Sequence, residues 1–209
     1  MANINAPKGF VPLRHINGLP FSGALVPYLV PAADGTAMGV GDVCIHGGTS
    51  GAAGLVVNGV DCEGLPAVTR ATAGTTGQNI VGIVRGFLPD PTNLAGKHRL
   101  ASTNRIALVV TDPTVVYEVQ ADEVTTPLAA ADVGLNVSFN VSSVNATTGI
   151  SQVTIISASK ATTATLPFKL LGLVKRPDNN FNTGGASTDQ AKYEVMLNTQ
   201  IFAPNVAGV

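Results

Sequence analysis

Short apolar runs broken by turn residues constrain this chain more than anything else in it. In its 209 residues, 23 Gly and 13 Pro interrupt brief stretches of Val, Ile, Leu, Thr and Ala. No stretch sustains an apolar stripe of helical period, whereas alternation with period two recurs. Val115, Tyr117 and Val119 share one face of a segment whose other face carries Val116, Glu118 and Gln120, the pattern of a half-buried strand. Ile80–Val84 and Ile106–Val110 are continuous apolar runs, as in central strands or barrel walls buried on both sides.

Ten strands are predicted on these grounds, near residues 25–30, 40–45, 65–69, 80–88, 105–111, 115–120, 136–141, 151–157, 168–175 and 192–198. Residues 47–54, 74–78 and 182–187 read as Gly-rich loops. One short helix is predicted. Thr126-Pro127 offers a cap and a first-turn proline, Leu128–Asp132 supplies two turns at most, and Gly134 follows as a stop. The expected fold is all-β, a barrel or sandwich of short strands with one short helix. No internal repeat or linker divides it, so residues 24–209 are read as a single β-rich body. Residues 1–23 are read as an extended N-terminal arm. Pro7, Pro12 and Pro20 disfavour helix there, while Phe10, Leu13, Ile16 and Phe21 are too apolar for an idle tail. The arm is expected to order only when a partner supplies its second wall.

Chemistry-bearing residues are scarce. Charged residues make up 12% of the chain, against about 25% in an average soluble protein. Net charge is −1, and the densest basic cluster, Lys97-His98-Arg99 with Arg105, reads as a solvated loop, so no nucleic-acid partner is expected. Met1–Phe10 has no apolar h-region and no segment is long and apolar enough to span a bilayer, so synthesis in a cytosol and no membrane partner are expected. Three Asn-x-Ser/Thr matches, at Asn136, Asn140 and Asn145, are expected by chance in so polar a stretch.

Cys44 and His46 share a strand face and Cys62 follows, but their spacing matches no zinc pattern. Reduced, structural cysteines and no metal or other cofactor are expected. Gly48-Thr-Ser50-Gly51 lacks the helix a nucleophile elbow needs, and Asp122-Glu123 reads as a solvated turn, so no enzyme is expected. In 175–181 (KRPDNNF), Arg176 and Phe181 are the candidate contact residues of a loop.

An ordered series of segments carries a family resemblance. They are 1–18 (MANINAPKGFVPLRHING), Gly41-Asp42-Val43, 64–70 (GLPAVTR), 80–87 (IVGIVRGF), 112–120 (DPTVVYEVQ), 165–181 (TLPFKLLGLVKRPDNNF) and 193–199 (YEVMLNT). Together they resemble the capsid decoration, or cement, proteins of tailed bacteriophages, mostly short-tailed ones. The stretch 47–59 and the Gly184-Gly185 loop depart from that pattern. The resemblance implies a virion structural protein on the outside of the capsid, made in the host cytoplasm, without cofactor or catalysis. Its partners would be the major capsid protein and further copies of itself, and it would bridge and stabilise capsid subunits. The expected contact residues are Lys8, Phe10, Leu13, Arg14, Ile16, Phe21, Arg176 and Phe181. The alternative is a head fibre or tail adhesin that binds a host glycan.

Overall fold

The computed structural model describes residues 3–73, 79–122, 126–181, 190–203 and 208. Among these are the strands β1 (Val11–His15), β2 (Val26–Val30), β3 (Val43–Ser50), β4 (Val56–Val57), β5 (Val60–Asp61), β6 (Pro66–Arg70) and β7 (Ile80–Phe87). The remaining strands are β8 (Arg105–Val110), β9 (Val115–Gln120), β10 (Asn136–Asn140), β11 (Thr154–Ala161), β12 (Phe168–Leu173) and β13 (Lys192–Leu197). The chain is all-β, as its turn-punctuated sequence requires. The loops expected at 74–78 and 182–187, with Gly184-Gly185, and Glu123 of the carboxylate pair lie outside the described residues.

Five strands close a barrel in the order β2-β6-β3-β7-β8. Six others form a sheet in the order β1-β9-β13-β12-β10-β11. That sheet curls, because a parallel bridge between Ala121 and Ile155 brings β11 back to the end of β9. The concave side of the curl encloses the largest apolar cluster, with Tyr117, Tyr193, Phe139 and Phe168 at its centre. Val43, Ile80, Ile83 and Val110 join this cluster from the outer wall of the barrel, so sheet and barrel share one core.

Alternation along β8 accounts for its unbroken apolar run. Ala107 and Val109 fill the barrel with Tyr28, Val30, Cys44 and Val68. Val110 faces the curled sheet, and Ile106 faces a third cluster with Leu29, Val57 and Cys62 under the β4–β5 ribbon. The strand is therefore a wall with apolar neighbours on both sides. β7 reaches the same result through a bulge. Its pairing with β3 runs Cys44 to Gly82 and then Ile45 to Ile80, which skips Val81. The extra residue shifts the phase of the strand. Ile80 and Ile83 turn to the sheet, while Val81 and Val84 turn into the barrel.

The N-terminal segment departs from expectation. Residues 11–15 form β1, the edge strand of the six-stranded sheet, paired with β9. Pro12 is tolerated because an edge strand has no partner on its far side to miss the amide. Phe10 is 1% exposed and stacks on Phe168 with ring centroids 4.2 Å apart. The arm is thus corrected from a free segment awaiting a partner's wall to a segment whose wall is the chain's own sheet. Glycines make the join possible. Gly9 has φ +63, and a Cβ there would lie 2.6 Å from the Gly41 carbonyl oxygen. Only a residue without a side chain lets these two backbones meet, and Phe10 N–H then donates to Gly41 O at 3.0 Å.

The expected helix is corrected as well. It is a single 3-10 turn, Ala130–Asp132. Leu128 is drawn fully into the core, and the Asp132 carboxylate accepts from the Ala129 amide at 2.8 Å and from Lys160 at 2.7 Å. Those contacts fix the segment before a second turn can form.

Candidate partner-binding surface

The two groups of expected contact residues meet on the outer face of β9 and β13. Glu118 and Glu194 lie opposite each other in the ladder. Like charges so placed repel, and each is neutralised by an arginine from a different element. Arg14 of β1 bonds Glu194 at 2.6 Å, and Arg176, from the loop after β12, pairs with Glu118. Both arginines therefore serve the chain itself.

The apolar members divide. Phe10 is buried in the core and is not presented on the surface of the closed chain, which corrects the expectation of an exposed contact for that residue. Phe21 and Phe181 lean on the same core, Phe181 with its ring centroid 6.0 Å from that of Tyr193. Leu13 is half-buried, and its carbonyl accepts from the Phe21 amide at 3.5 Å. Lys8 and Ile16 are exposed.

The two arginines of the basic cluster turn inward, against the expectation of a solvated loop, while Lys97 is exposed. Arg99 is 0% exposed. Its guanidinium donates to the carbonyls of Thr103 at 2.9 Å, Pro31 at 2.7 Å, Asp34 at 2.7 Å and Thr36. Arg105 is also buried and donates to Leu88 O at 3.1 Å.

The candidate metal ligands point to three places. Cys44 sits inside the barrel, Cys62 under the β4–β5 ribbon, and His46 at the surface. Burial pushes the Cys44 thiol up to about 12.

Two polar constellations resemble catalytic groupings, and their geometry argues otherwise. Asp42 is buried and accepts from Ser151 Oγ at 2.5 Å, Gly39 N–H at 2.7 Å and Arg70 at 3.0 Å. Burial raises its carboxyl above the usual range against the pull of Arg70 and the other donors. Ser151 is as buried as Asp42 and its oxygen also accepts the Val153 amide, so the group ties the barrel to the 142–153 segment. At the surface, His15 Nδ1 lies 3.0 Å from Thr114 Oγ1 and 3.3 Å from Asp112 Oδ2. A base relay needs the acid and the nucleophile on opposite ring nitrogens. Here both sit on one.

Beside Thr114 the surface opens into an apolar hollow of about 330 Å³, with Pro113, Met196, Leu197 and Ala203 among its lining residues. Ile201 and Phe202, 41% and 55% exposed, immediately precede Ala203 in the chain. Phe202 is the one large exposed aromatic among the described residues. Exposed aromatics beside an apolar depression mark protein contacts. The sequence marks this surface only by an Ile-Phe pair just after the last strand, because Met196 is brought beside the turn at Pro113 by its pairing with Val116 across the sheet.

Family models, curated proteins and solved structures contain no match to the chain.

Proposed function

We propose that this chain is a capsid decoration protein that binds the major capsid protein on the outside of a phage head. The observation that carries the reading is the apolar hollow between Pro113, Met196 and Ala203, with the exposed Ile201 and Phe202 just before Ala203 in the chain. It offers an apolar contact on a body whose Arg14 and Arg176 are occupied in its own ion pairs. The ordered sequence segments that resemble cement proteins supply the identity of the partner. Cementing then follows from linkage: a protein that binds the mature lattice and not its alternatives adds its binding free energy to that lattice. A body with one core shared by sheet and barrel transmits that energy without deforming.

The test is cosedimentation with expanded heads that lack decoration. The wild-type chain should pellet with the heads. Phe202→Asp with Ile201→Asp should stay in the supernatant while its circular dichroism remains that of the wild type. A wild-type chain that ignores heads and binds a glycan surface instead would establish the adhesin reading.

A further inference from the structure

β1, with residues 3–10 leading into it, belongs to the six-stranded sheet, while the next strand, β2, belongs to the barrel. Between them run residues 16–25. All of these except Phe21 and Leu25 are exposed. The run includes Gly18 at φ +88 and Gly23 at φ +83, neither with any atom near the place a Cβ would occupy. The fold-back after β1 is held by few backbone bonds, His15 N–H to Leu19 O at 2.8 Å, Gly18 N–H to His15 O at 2.9 Å and Phe21 N–H to Leu13 O at 3.5 Å, after Ile16 N–H extends the β1–β9 side with a bond to Thr114 O at 2.8 Å. Straightened, these ten residues would reach about 33 Å.

On this basis we propose that residues 3–15 are exchanged between copies of this chain. A sister copy would receive β1 along its own β9 and Phe10 on its own Phe168. Every β1–β9 bond and every Phe10 contact is the same in the closed and exchanged forms. The free-energy difference is therefore confined to the 16–25 connection and to association. The closed form leaves Leu19 of that connection 61% exposed and Val26, at the start of β2, 42% exposed. A straightened connection lying between two copies would bring a neighbour's surface to both. Exchange turns an intramolecular edge strand into a link between subunits and makes Phe10 an intersubunit residue. The proposal is independent of the capsid reading.

Pairs of cysteines across β1 and β9 distinguish the forms. Val11 faces Glu118 and Arg14 faces Val116 in the register, close enough for a disulfide. Val11→Cys with Glu118→Cys, and separately Arg14→Cys with Val116→Cys, are oxidised in the full-length chain and run on denaturing gels without reductant. Exchange gives a ladder of linked multimers that collapses on reduction, and light scattering of the wild type gives twice the chain mass or more. Intrachain disulfides running as monomers, or a wild-type chain that stays monomeric at every concentration, overturn the proposal. Neither readout involves heads, so its failure and that of the capsid reading are separable.

Discussion

Phe10 lies nearly parallel on Phe168, with rings 4.2 Å apart at an interplanar angle of 14°, and meets Tyr117 edge-on at 6.4 Å. A residue ahead of the first strand thus sits at the centre of the largest apolar cluster. Phe10→Ala is expected to cost about 3–5 kcal/mol, the range for removing a buried aromatic. Removal of residues 1–20 should prevent folding, because β9 loses its edge partner along with Phe10. Urea denaturation of the point variant checks this. A midpoint unchanged from wild type would refute it.

The Tyr117 hydroxyl is buried and has no hydrogen-bond partner among the described residues. An unsatisfied buried hydroxyl costs about 1–3 kcal/mol relative to an apolar group of the same shape. Tyr117→Phe keeps the ring and removes the oxygen, so it should raise the denaturation midpoint. A lower midpoint would mean that the hydroxyl makes a stabilising bond.

Arg99 is the largest fully buried side chain. Its removal takes a donor from four carbonyls, of which Pro31 O and Asp34 O keep the amides of Asp34 and Ser102, and leaves Asp34 without its buried cationic neighbour. Arg99→Met should destabilise by about 3–5 kcal/mol, as loss of one member of a buried charged cluster does. Arg99→Lys should recover only part, because an ammonium cannot present the three separate nitrogens that reach Thr103, Thr36 and the Pro31 and Asp34 carbonyls together. Chemical denaturation of the two variants side by side decides whether the fork or the charge matters.

Asp112 gives the fold an acid-sensitive contribution. Burial works to raise its carboxyl, but the Thr114 hydroxyl and amide and the neighbouring His15 outweigh that and hold it below the ordinary value. A carboxyl depressed in the folded state stabilises the fold fully above its unfolded value, about pH 4. It loses that contribution as pH falls through the folded value. Asp112→Asn should therefore flatten the decline in stability below about pH 4 and lower stability at pH 7. An identical pH profile in variant and wild type would show that Asp112 plays no part.

Legibility in the sequence followed local physics. Each of the ten strands expected from alternation or apolar runs overlaps an observed strand, because period and turn chemistry are local. β1 escaped notice because Pro12 argues against a strand, and the edge position that excuses it is a tertiary fact. β4 and β5 are two residues each, too short for a period, and the Asn58-Gly59 turn between them went unread. The polar residues misled for a similar reason. Arg99 looks solvated until Pro31, Asp34 and Thr36 are folded around it, and Arg176 looks free until β9 brings Glu118 beneath it. The hollow at Met196 exists only once β9, β12 and β13 are side by side.

Of the barrel's five seams, one is far weaker than the rest. β2 and β6 run parallel and share a single register pair, Leu29 with Ala67, whereas β2 and β8 share five. Just past the end of β2, Asp34 accepts from the amide of Arg70 at the end of β6 and lies 3.6 Å from the guanidinium of Arg99. Side chains therefore fasten what the backbone leaves slack, as a buckle fastens a belt. Load on the 31–36 loop would reach that fastening before it reached any ladder of backbone bonds. When the barrel yields, it should yield as an opened ribbon whose other four seams remain intact.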